Sequence, residues 1–316
     1  MELSRLNRPE RANLTHFPVQ LPPPKQEQAA LLRLCTYNVR IDHPLDQEGA
    51  HSWDARKDAI IRIIQHYQPT VIAFQEADKK QVEYLRRNLS KYHFIDHAAR
   101  PETDESEHLP IAFLSNELQC VQQGRFWLSD TPETPSIGWD ACYARICSWA
   151  QLYSPQQKST IWVMNTHLDH KGIQAREEGV KLIKERISHL VGQDTAVLMG
   201  DLNLFPDFGG PEVYQSILQG QNGLHDVRDQ TDQHYGPDGT WIGWQYDPYP
   251  CPPNKVGSRL DHIFTTGPCA VLQEGVLNFS VDTHQAVHDP YPNALLPERL
   301  YPSDHLPVLA DLVIPA

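Results

Sequence analysis

Basic residues are scarce in this chain. Its 316 residues include 27 Lys and Arg against 40 Asp and Glu, a formal net charge of −13. A protein that holds long duplex DNA without sequence preference presents a basic face, because counterion release supplies much of its affinity. The acidic balance argues against that mode and leaves nucleic acid only a local patch. No apolar run approaches the length of a bilayer span, so no membrane association is expected. The first 28 residues are polar and carry Leu21-Pro22-Pro23-Pro24, without the apolar core of a signal peptide. The six cysteines, Cys35, Cys120, Cys142, Cys147, Cys251 and Cys269, form no Cys-x-x-Cys pair. Several fall within apolar strands, where a thiol is a small hydrophobe, and a reducing cytoplasm is the expected compartment. There is no glycine-rich phosphate loop ending in Lys-Ser or Lys-Thr, and no dinucleotide fingerprint. His284 and His288 have the i, i+4 spacing of helical zinc proteases. However, no Glu follows His284, and Pro290 and Pro292 crowd the segment, which reads as loop.

What is present is a soluble globular composition, 40% hydrophobic and 21% charged. Strand and helix signals alternate. Leu32 to Val39 is an apolar strand, Asp54 to Tyr67 a helix with Ile60, Ile63, Ile64 and Tyr67 on one face, and Val71 to Phe74 a short buried strand. A helix over Lys79 to Leu89 precedes strands at Tyr92–Asp96, Pro110–Ser115, Leu118–Gln122, Arg125–Leu128 and Arg145–Tyr153. The second half repeats the theme: a strand from Thr160 to Asn165, a helix from Ile173 to Val191, a strand from Ala196 to Met199 and a helix opened by Pro211. Strands at Leu260–Thr265, Ala270–Leu277 and Leu306–Val313 close the pattern. These elements predict an α+β fold, a four-layer α/β/β/α sandwich of two packed, mainly antiparallel sheets with helices outside. No linker divides it: residues 1–30 read as an N-terminal arm and 31–316 as one catalytic domain, expected to act as a monomer.

The polar residues fall at strand ends, where loops on one rim can gather them. Gly200-Asp201-Leu202-Asn203 and Ser303-Asp304-His305 supply what metal-assisted phosphate ester hydrolysis needs: hard oxygen ligands, a group to hold water and a histidine. Glu76 closes a buried strand, where a carboxylate is costly unless paired or metal-bound; an N-cap or salt bridge would also serve. Asn38 likewise ends a strand. Asp201 and Asn203, two apart, face the same way on an extended segment. His167 ends a strand and can donate to a phosphoryl oxygen. Asp261, inside Leu260-Asp261-His262, pairs with His305 and raises its basicity, leaving Asp304 for the metal. Arg40 and Arg145 are candidate phosphate contacts. Trp241, Trp244, Tyr246 and Tyr249 are either packing residues or a stacking wall for a base or sugar. Together with the long segment from Asn278 to Pro302, they are expected to limit the pocket to a compact ligand.

Seven strings carry a resemblance: Thr36-Tyr37-Asn38-Val39-Arg40, Ser52-Trp53 with Arg56-Lys57, Phe74-Gln75-Glu76, Asn165-Thr166-His167-Leu168-Asp169-His170, Gly200-Asp201-Leu202-Asn203, Arg259-Leu260-Asp261-His262-Ile263-Phe264 and Ser303-Asp304-His305-Leu306-Pro307-Val308. In this order the chain resembles the endonuclease/exonuclease/phosphatase superfamily, from about residue 33 to the C-terminus. Phe126-Trp127-Leu128-Ser129-Asp130-Thr131-Pro132, then Gly138-Trp139-Asp140 and Arg145, is similar to a bacterial subgroup of mostly unassigned substrate. That likeness implies that Glu107 orients His167. The resemblance implies an Mg2+ or Mn2+ site formed by Asn38, Glu76 and Asp304, and in-line attack of an activated water on a phosphoester. Asp201 and the His305–Asp261 pair both remain candidates for the base. The expected substrate is a phosphorylated small molecule or short diester. Nuclease action on DNA or RNA is the alternative, and an inactive binding module with the same fold is the alternative of another class.

Overall fold

The apolar alternation resolves into two β-sheets that share one core. The computed structural model describes residues 13–14, 17–22, 29–46, 51–104, 106–220, 222–244, 258–281, 286–288 and 301–315. The first sheet runs in the order β1 (Asn13–Leu14), β11 (His234–Tyr235), β13 (Ala270–Val276), β16 (Val308–Pro315), β2 (Ala29–Asn38), β3 (Val71–Gln75), β5 (Ile111–Leu114) and β4 (Tyr92–Ile95). The second runs β10 (His225–Asp226), β12 (Asp261–Thr266), β9 (Thr195–Asp201), β8 (Ser159–His167), β7 (Ile146–Ser154) and β6 (Gln119–Trp127). A separate hairpin joins β14 (Phe279–Val281) to β15 (Ala286–His288). Most neighbours are antiparallel. The parallel pairs β2–β3 and β8–β9 matter most here, because they bring two strand C-termini to one rim in each sheet.

Alternation within each strand sorts side chains into layers. Leu32, Leu34, Val71 and Ala73 face Val163, Val197, Met199 and Ile263 between the sheets. On the outer face of the first sheet, Cys35, Tyr37, Ile72 and Phe74 pack with Ile60, Ile63 and Ile64 of α1 (Trp53–Tyr67) and Val82 and Leu85 of α2 (Lys79–Asn88). On the outer face of the second, Met164, Leu198 and Phe264 meet Val180, Ile183 and Ile187 of α3 (Ile173–Val191) and Val213 and Ile217 of α4 (Gly210–Leu218). These are the four expected layers. Local signals set the helix ends: Ser52 accepts from the Ala55 N–H before α1, and Asp78 and Gln81 form a reciprocal capping box before α2.

Two sequence readings need correction. The strands expected at Leu118–Gln122 and Arg125–Leu128 are one strand, β6, bulged between Cys120 and Gln122. Gly124 marks no break. The Trp149 indole lies across it, and a Cβ there would meet that ring at 2.7 Å. The His284–His288 segment, expected as loop, is a strand where it is described, at Ala286–His288; His284 lies outside the described residues. The N-terminal residues that are described belong to the packing: Phe17 is buried against Tyr67 and Tyr235, beneath the Arg33 guanidinium. Among the described cysteines all are free, and burial pushes the Cys35 and Cys147 thiols up.

Glu274 on β13 is fully buried and accepts from Arg259, from Arg228 at 3.0 Å and from His234 at 3.3 Å. Burial would raise its carboxyl, but these partners outweigh it and hold the value down to about 2. A depressed acid stabilises the fold fully above its unfolded value, and that contribution is lost as pH falls through the folded value. Glu274→Gln is therefore expected to cost about 3–5 kcal/mol at neutral pH, the range for breaking a buried ion pair. Urea denaturation at pH 7 and pH 3 checks this. The deficit narrows at the lower pH, and an equal deficit at both would contradict the account.

Candidate active site

Strand register assembles the site. In the second sheet His167 is the Cα partner of Asp201 across the parallel β8–β9 pair, and Asp201 is the partner of Asp261 across the antiparallel β9–β12 pair. Three chemical groups thus stand side by side by backbone geometry alone. Gly200 makes the close approach possible, because a Cβ there would lie 1.9 Å from the Thr166 carbonyl oxygen. In the first sheet Asn38 is the partner of Gln75, so the next residue, Glu76, emerges beside it. Gln75 and Asn165 join the sheets below the rim: Gln75 Nε2 donates to Asn165 Oδ1 at 2.8 Å, and Asn165 Nδ2 donates to the Phe74 and Pro110 carbonyls. Glu76, Arg40 and Asn203 all have left-handed backbones, with φ of 57°, 58° and 50°. Such strain, of order 1–3 kcal/mol per residue, persists where the surroundings over-determine it.

Above this floor the polar groups converge. Asn38 Nδ2 donates to Glu76 Oε1 at 3.0 Å and to Asp201 Oδ2 at 2.9 Å. Two histidines aim at the same carboxylate oxygen: His167 Nε2 is 3.6 Å and His305 Nε2 3.7 Å from Asp201 Oδ2. Each is held from behind by an acid. His305 Nδ1 donates to Asp261 Oδ2 at 2.8 Å, and His167 Nδ1 donates to Glu107 Oε1 at 2.5 Å. Arg145 Nη1 lies 2.9 Å from the same His167 nitrogen, but that nitrogen carries the proton given to Glu107, so the guanidinium bonds Glu107 Oε2 instead, at 2.7 Å. Asn203 gives its backbone N–H to Asp201 Oδ1 at 3.0 Å and its amide to the Leu168 carbonyl at 2.9 Å.

The electrostatics follow from crowding. Burial alone would raise Glu76, but His167, Arg40 and His305 overcome it and hold the carboxyl at about 2. Asp201 and Asp304 go the other way: burial dominates and raises both. Burial works against charge on His305, yet Asp261 and Asp201 raise it well above the ordinary imidazole value; Glu107 and Asp201 raise His167 against burial and Arg145.

These groups line a cavity of about 860 Å3. Arg40, Arg145, Trp241, Asp304 and Glu107 are on its wall. Trp241 packs edge-on against Phe205, with ring centroids 5.3 Å apart. Trp244, expected beside it, does not line the cavity. Its ring stacks on His51 at 4.3 Å and under Arg56 at 5.3 Å, because a left-handed backbone at Trp244 turns it toward the core. Tyr246 and Tyr249 lie outside the described residues, as does most of the Asn278–Pro302 segment. Asn38 also differs in detail from a simple ligand. Its Oδ1 accepts from the Arg40 N–H at 3.0 Å, and the amide nitrogen faces the carboxylates. The described atoms that group most tightly for a cation are from Glu76, Asp201 and His305, all within 4.8 Å of one another. Asp304 stands to one side, 3.9 Å from Arg40 Nη1. Residues that sequence reasoning left unassigned also line the cavity, notably Tyr143, His170 and Phe205. His170 ends one of the quoted strings, and Tyr143 and Phe205 lie two residues from the quoted Arg145 and Asn203.

The donor set fits a hard divalent cation: a carboxylate oxygen of Glu76 and one of Asp201 meet at the Asn38 amide, with the two imidazole Nε2 atoms 3.6 and 3.7 Å from Asp201. Calorimetric titration with Mn2+ should give binding that Glu76→Gln weakens by about tenfold or more, the scale of losing a ligand or its support. Equal affinity in both proteins would remove Glu76 from the metal site.

The comparisons with known proteins agree with this geometry. The chain matches the model of the endonuclease/exonuclease/phosphatase family over residues 35–305. It is similar to an endonuclease/exonuclease/phosphatase family protein of Bacteroides thetaiotaomicron (28% identity, TM-score 0.76, 91% of this chain and 99% of that one). It is similar also to a mannosyl-6-phosphatase of the same organism (28% identity, TM-score 0.76, 90% and 100%). An uncharacterized protein of Acanthamoeba polyphaga mimivirus is 29% identical over 163 residues, 49% of this chain and 60% of that protein. A second mimivirus protein is 24% identical over 294 residues, 81% of this chain and 41% of that protein, so the chain spans less than two thirds of either. With the two-sheet fold, the rim of strand-end acids and histidines, and a family match across most of its length, the chain belongs to the endonuclease/exonuclease/phosphatase family.

Proposed function

We propose that this protein is a divalent-metal-dependent phosphohydrolase acting on a small phosphomonoester or short phosphodiester. The observation that carries the reading is the pair of acid-backed histidines pointing their Nε2 atoms at one carboxylate oxygen of Asp201. A phosphoryl group beside Asp201 would meet two imidazole Nε2 groups, placed where charge develops on its equatorial oxygens. Asp261 and Glu107 fix those rings, and Arg145 fixes Glu107. Asp201, its Oδ1 held by the Asn203 N–H, takes the proton from the attacking water as the P–O bond to the leaving alcohol breaks. Arg40, 3.8 Å from Glu76 and 3.9 Å from Asp304, is placed to neutralise phosphate. Mg2+ or Mn2+, held by Glu76 with Asn38 and Asp304, would supply charge neutralisation at a phosphoryl oxygen. The tighter grouping of Glu76, Asp201 and His305 gives the same ion a second set of neighbours.

Substrate size follows from charge and shape. A net charge of −13 and a cavity of about 860 Å3 favour a compact anion over a gripped polymer. The bacterial mannosyl-6-phosphatase shows that a relative of this fold and similarity takes a phosphorylated sugar. Among the described residues no helix is long and apolar enough to cross a membrane. The cysteines, all free among those described, are the ground for proposing a reducing cytoplasm. An inactive binding module is disfavoured, because every proposed catalytic position carries a competent side chain.

Two measurements check the reading. Asp201→Asn keeps the shape of the side chain and removes its charge, so turnover should fall roughly a hundredfold or more while substrate binding survives. Near wild-type turnover would hand the base role to the His305–Asp261 pair. Excess chelator should abolish turnover and leave the circular dichroism spectrum unchanged, since the sheets hold their own core. Full activity in chelator would sink the metal-assisted mechanism. A steep salt dependence with efficient cleavage of long duplex DNA would return the chain to the nuclease reading.

A further inference from the structure

One wall of the cavity has no assigned role in the chemistry just described, although the Arg145 guanidinium lies 5.8 Å from the Tyr143 ring centroid. Tyr143 is 59% exposed, although it lines the cavity, and it stacks on His170 with centroids 5.9 Å apart and planes 23° apart. Phe208, also on the lining, is 42% exposed and meets Phe205 edge-on. Large apolar side chains left open together at the mouth of a polar cavity mark a binding surface rather than ordinary surface scatter.

The loops that carry these rings are fastened by Asp169, which is 2% exposed. One oxygen accepts from the Cys142 N–H at 3.0 Å and the Tyr143 N–H at 3.3 Å. The other accepts from Lys171 at 3.0 Å and Gly172 at 2.8 Å. Arg145 Nε lies 3.6 Å away. One carboxylate thus ties the Tyr143 loop, the His170–Lys171 turn and the arginine that steadies Glu107. The buried Arg176 guanidinium extends the brace, donating to the Asp169 carbonyl at 2.8 Å and to the Phe208 carbonyl. The N-terminus of α3 is closed to a ligand here, because Asp140 accepts from the Gln174 and Ala175 N–H groups.

We infer that Tyr143, with Phe205 and Phe208 on the same cavity lining, forms a leaving-group subsite that selects phosphoesters whose alcohol is part of a flat-faced ring, and that Asp169 is its positioning residue. A sugar pyranose and a nucleoside share that chemistry: an apolar face that stacks on an aromatic ring, with polar groups at the edge. This inference rests on the phosphohydrolase reading. It adds that recognition of the alcohol is separate from recognition of the phosphate.

The test measures kcat/KM with Mg2+ for three monoesters: a hexose 6-phosphate, a nucleoside 5′-monophosphate and the acyclic glycerol phosphate. Wild type should prefer at least one ring ester over glycerol phosphate, and the preferred one identifies sugar or nucleoside. Tyr143→Ala should reduce that preference by roughly fivefold or more, chiefly through KM, as loss of a stacking platform does. Tyr143→Phe should retain it. Asp169→Asn should reduce the same ratio with an unchanged circular dichroism spectrum. An unchanged ratio in Tyr143→Ala, or equal losses on ring and acyclic esters, would overturn the subsite while leaving the phosphohydrolase intact. Absence of hydrolysis of all three by wild type, with Mg2+ or Mn2+, would overturn the subsite; absence of hydrolysis of the diester bis(4-nitrophenyl) phosphate as well would overturn both.

Discussion

Asn38 is the point on which the site depends. It ends a strand of one sheet and donates through one nitrogen to Glu76 of its own sheet and Asp201 of the other. Two carboxylates are thereby held together at the mouth of a sandwich whose interior is apolar. Such a meeting is costly, since burying like charges without partners is opposed by both desolvation and repulsion. The surroundings answer with cations: His167, His305 and Arg40 crowd the same space. The result is an unequal pair, Glu76 held low and Asp201 raised by burial. Carboxylates whose environments push them apart can take different roles, one as fixed charge and one as proton acceptor.

The arrangement is held from beneath by buried arginines acting as backbone braces. Arg56 donates to the carbonyls of Val39, Arg40, His51 and Pro302, which ties the turn after Asn38 to the segment that delivers Asp304 and His305. Arg33 pairs with Asp311 by two 2.8 Å bonds in a fully buried contact and also reaches Val19 and Tyr67. A guanidinium offers five donors in a rigid fork, so one side chain can satisfy carbonyls from several loops at once. Lysine at either place would keep the charge and lose the geometry.

Much of this was legible in the sequence, for a physical reason. Strand-end polar residues follow apolar runs, so their place on the rim is fixed by the chain itself. The His167–Asp201–Asp261 row needs only the correct register, and the strings that carry those residues also set the strand ends. The Glu107–His167 contact came through the resemblance and is present at 2.5 Å. What was not legible depends on direction rather than position. Whether Asn38 presents oxygen or nitrogen is decided by the Arg40 N–H. Whether Trp244 faces the cavity or Arg56 is decided by a left-handed backbone that no local pattern announces. The strands expected at Leu118–Gln122 and Arg125–Leu128 join through Gly124, where the indole that lies across it comes from another strand.

The same distinction separates chemistry from choice of substrate. His167, Asp201 and Asp261 sit on strands locked in register by a shared core, so a change elsewhere on the surface moves them little. Tyr143, His170 and Phe208 sit on loops, and their order comes from side-chain bonds to Asp169 and Arg176 instead of from a ladder. Loops carried on a rigid scaffold can be altered without rebuilding the core. Under the proposed function, exchange of wall residues would alter alcohol specificity and leave the strand-borne groups in place. The coupling between the two layers is narrow: it passes through Arg145, which touches Glu107 on one side and lies 3.6 Å from Asp169 on the other. Arg145 is therefore the position at which a change in the cavity wall would be felt first by His167, the histidine proposed to contact the phosphate.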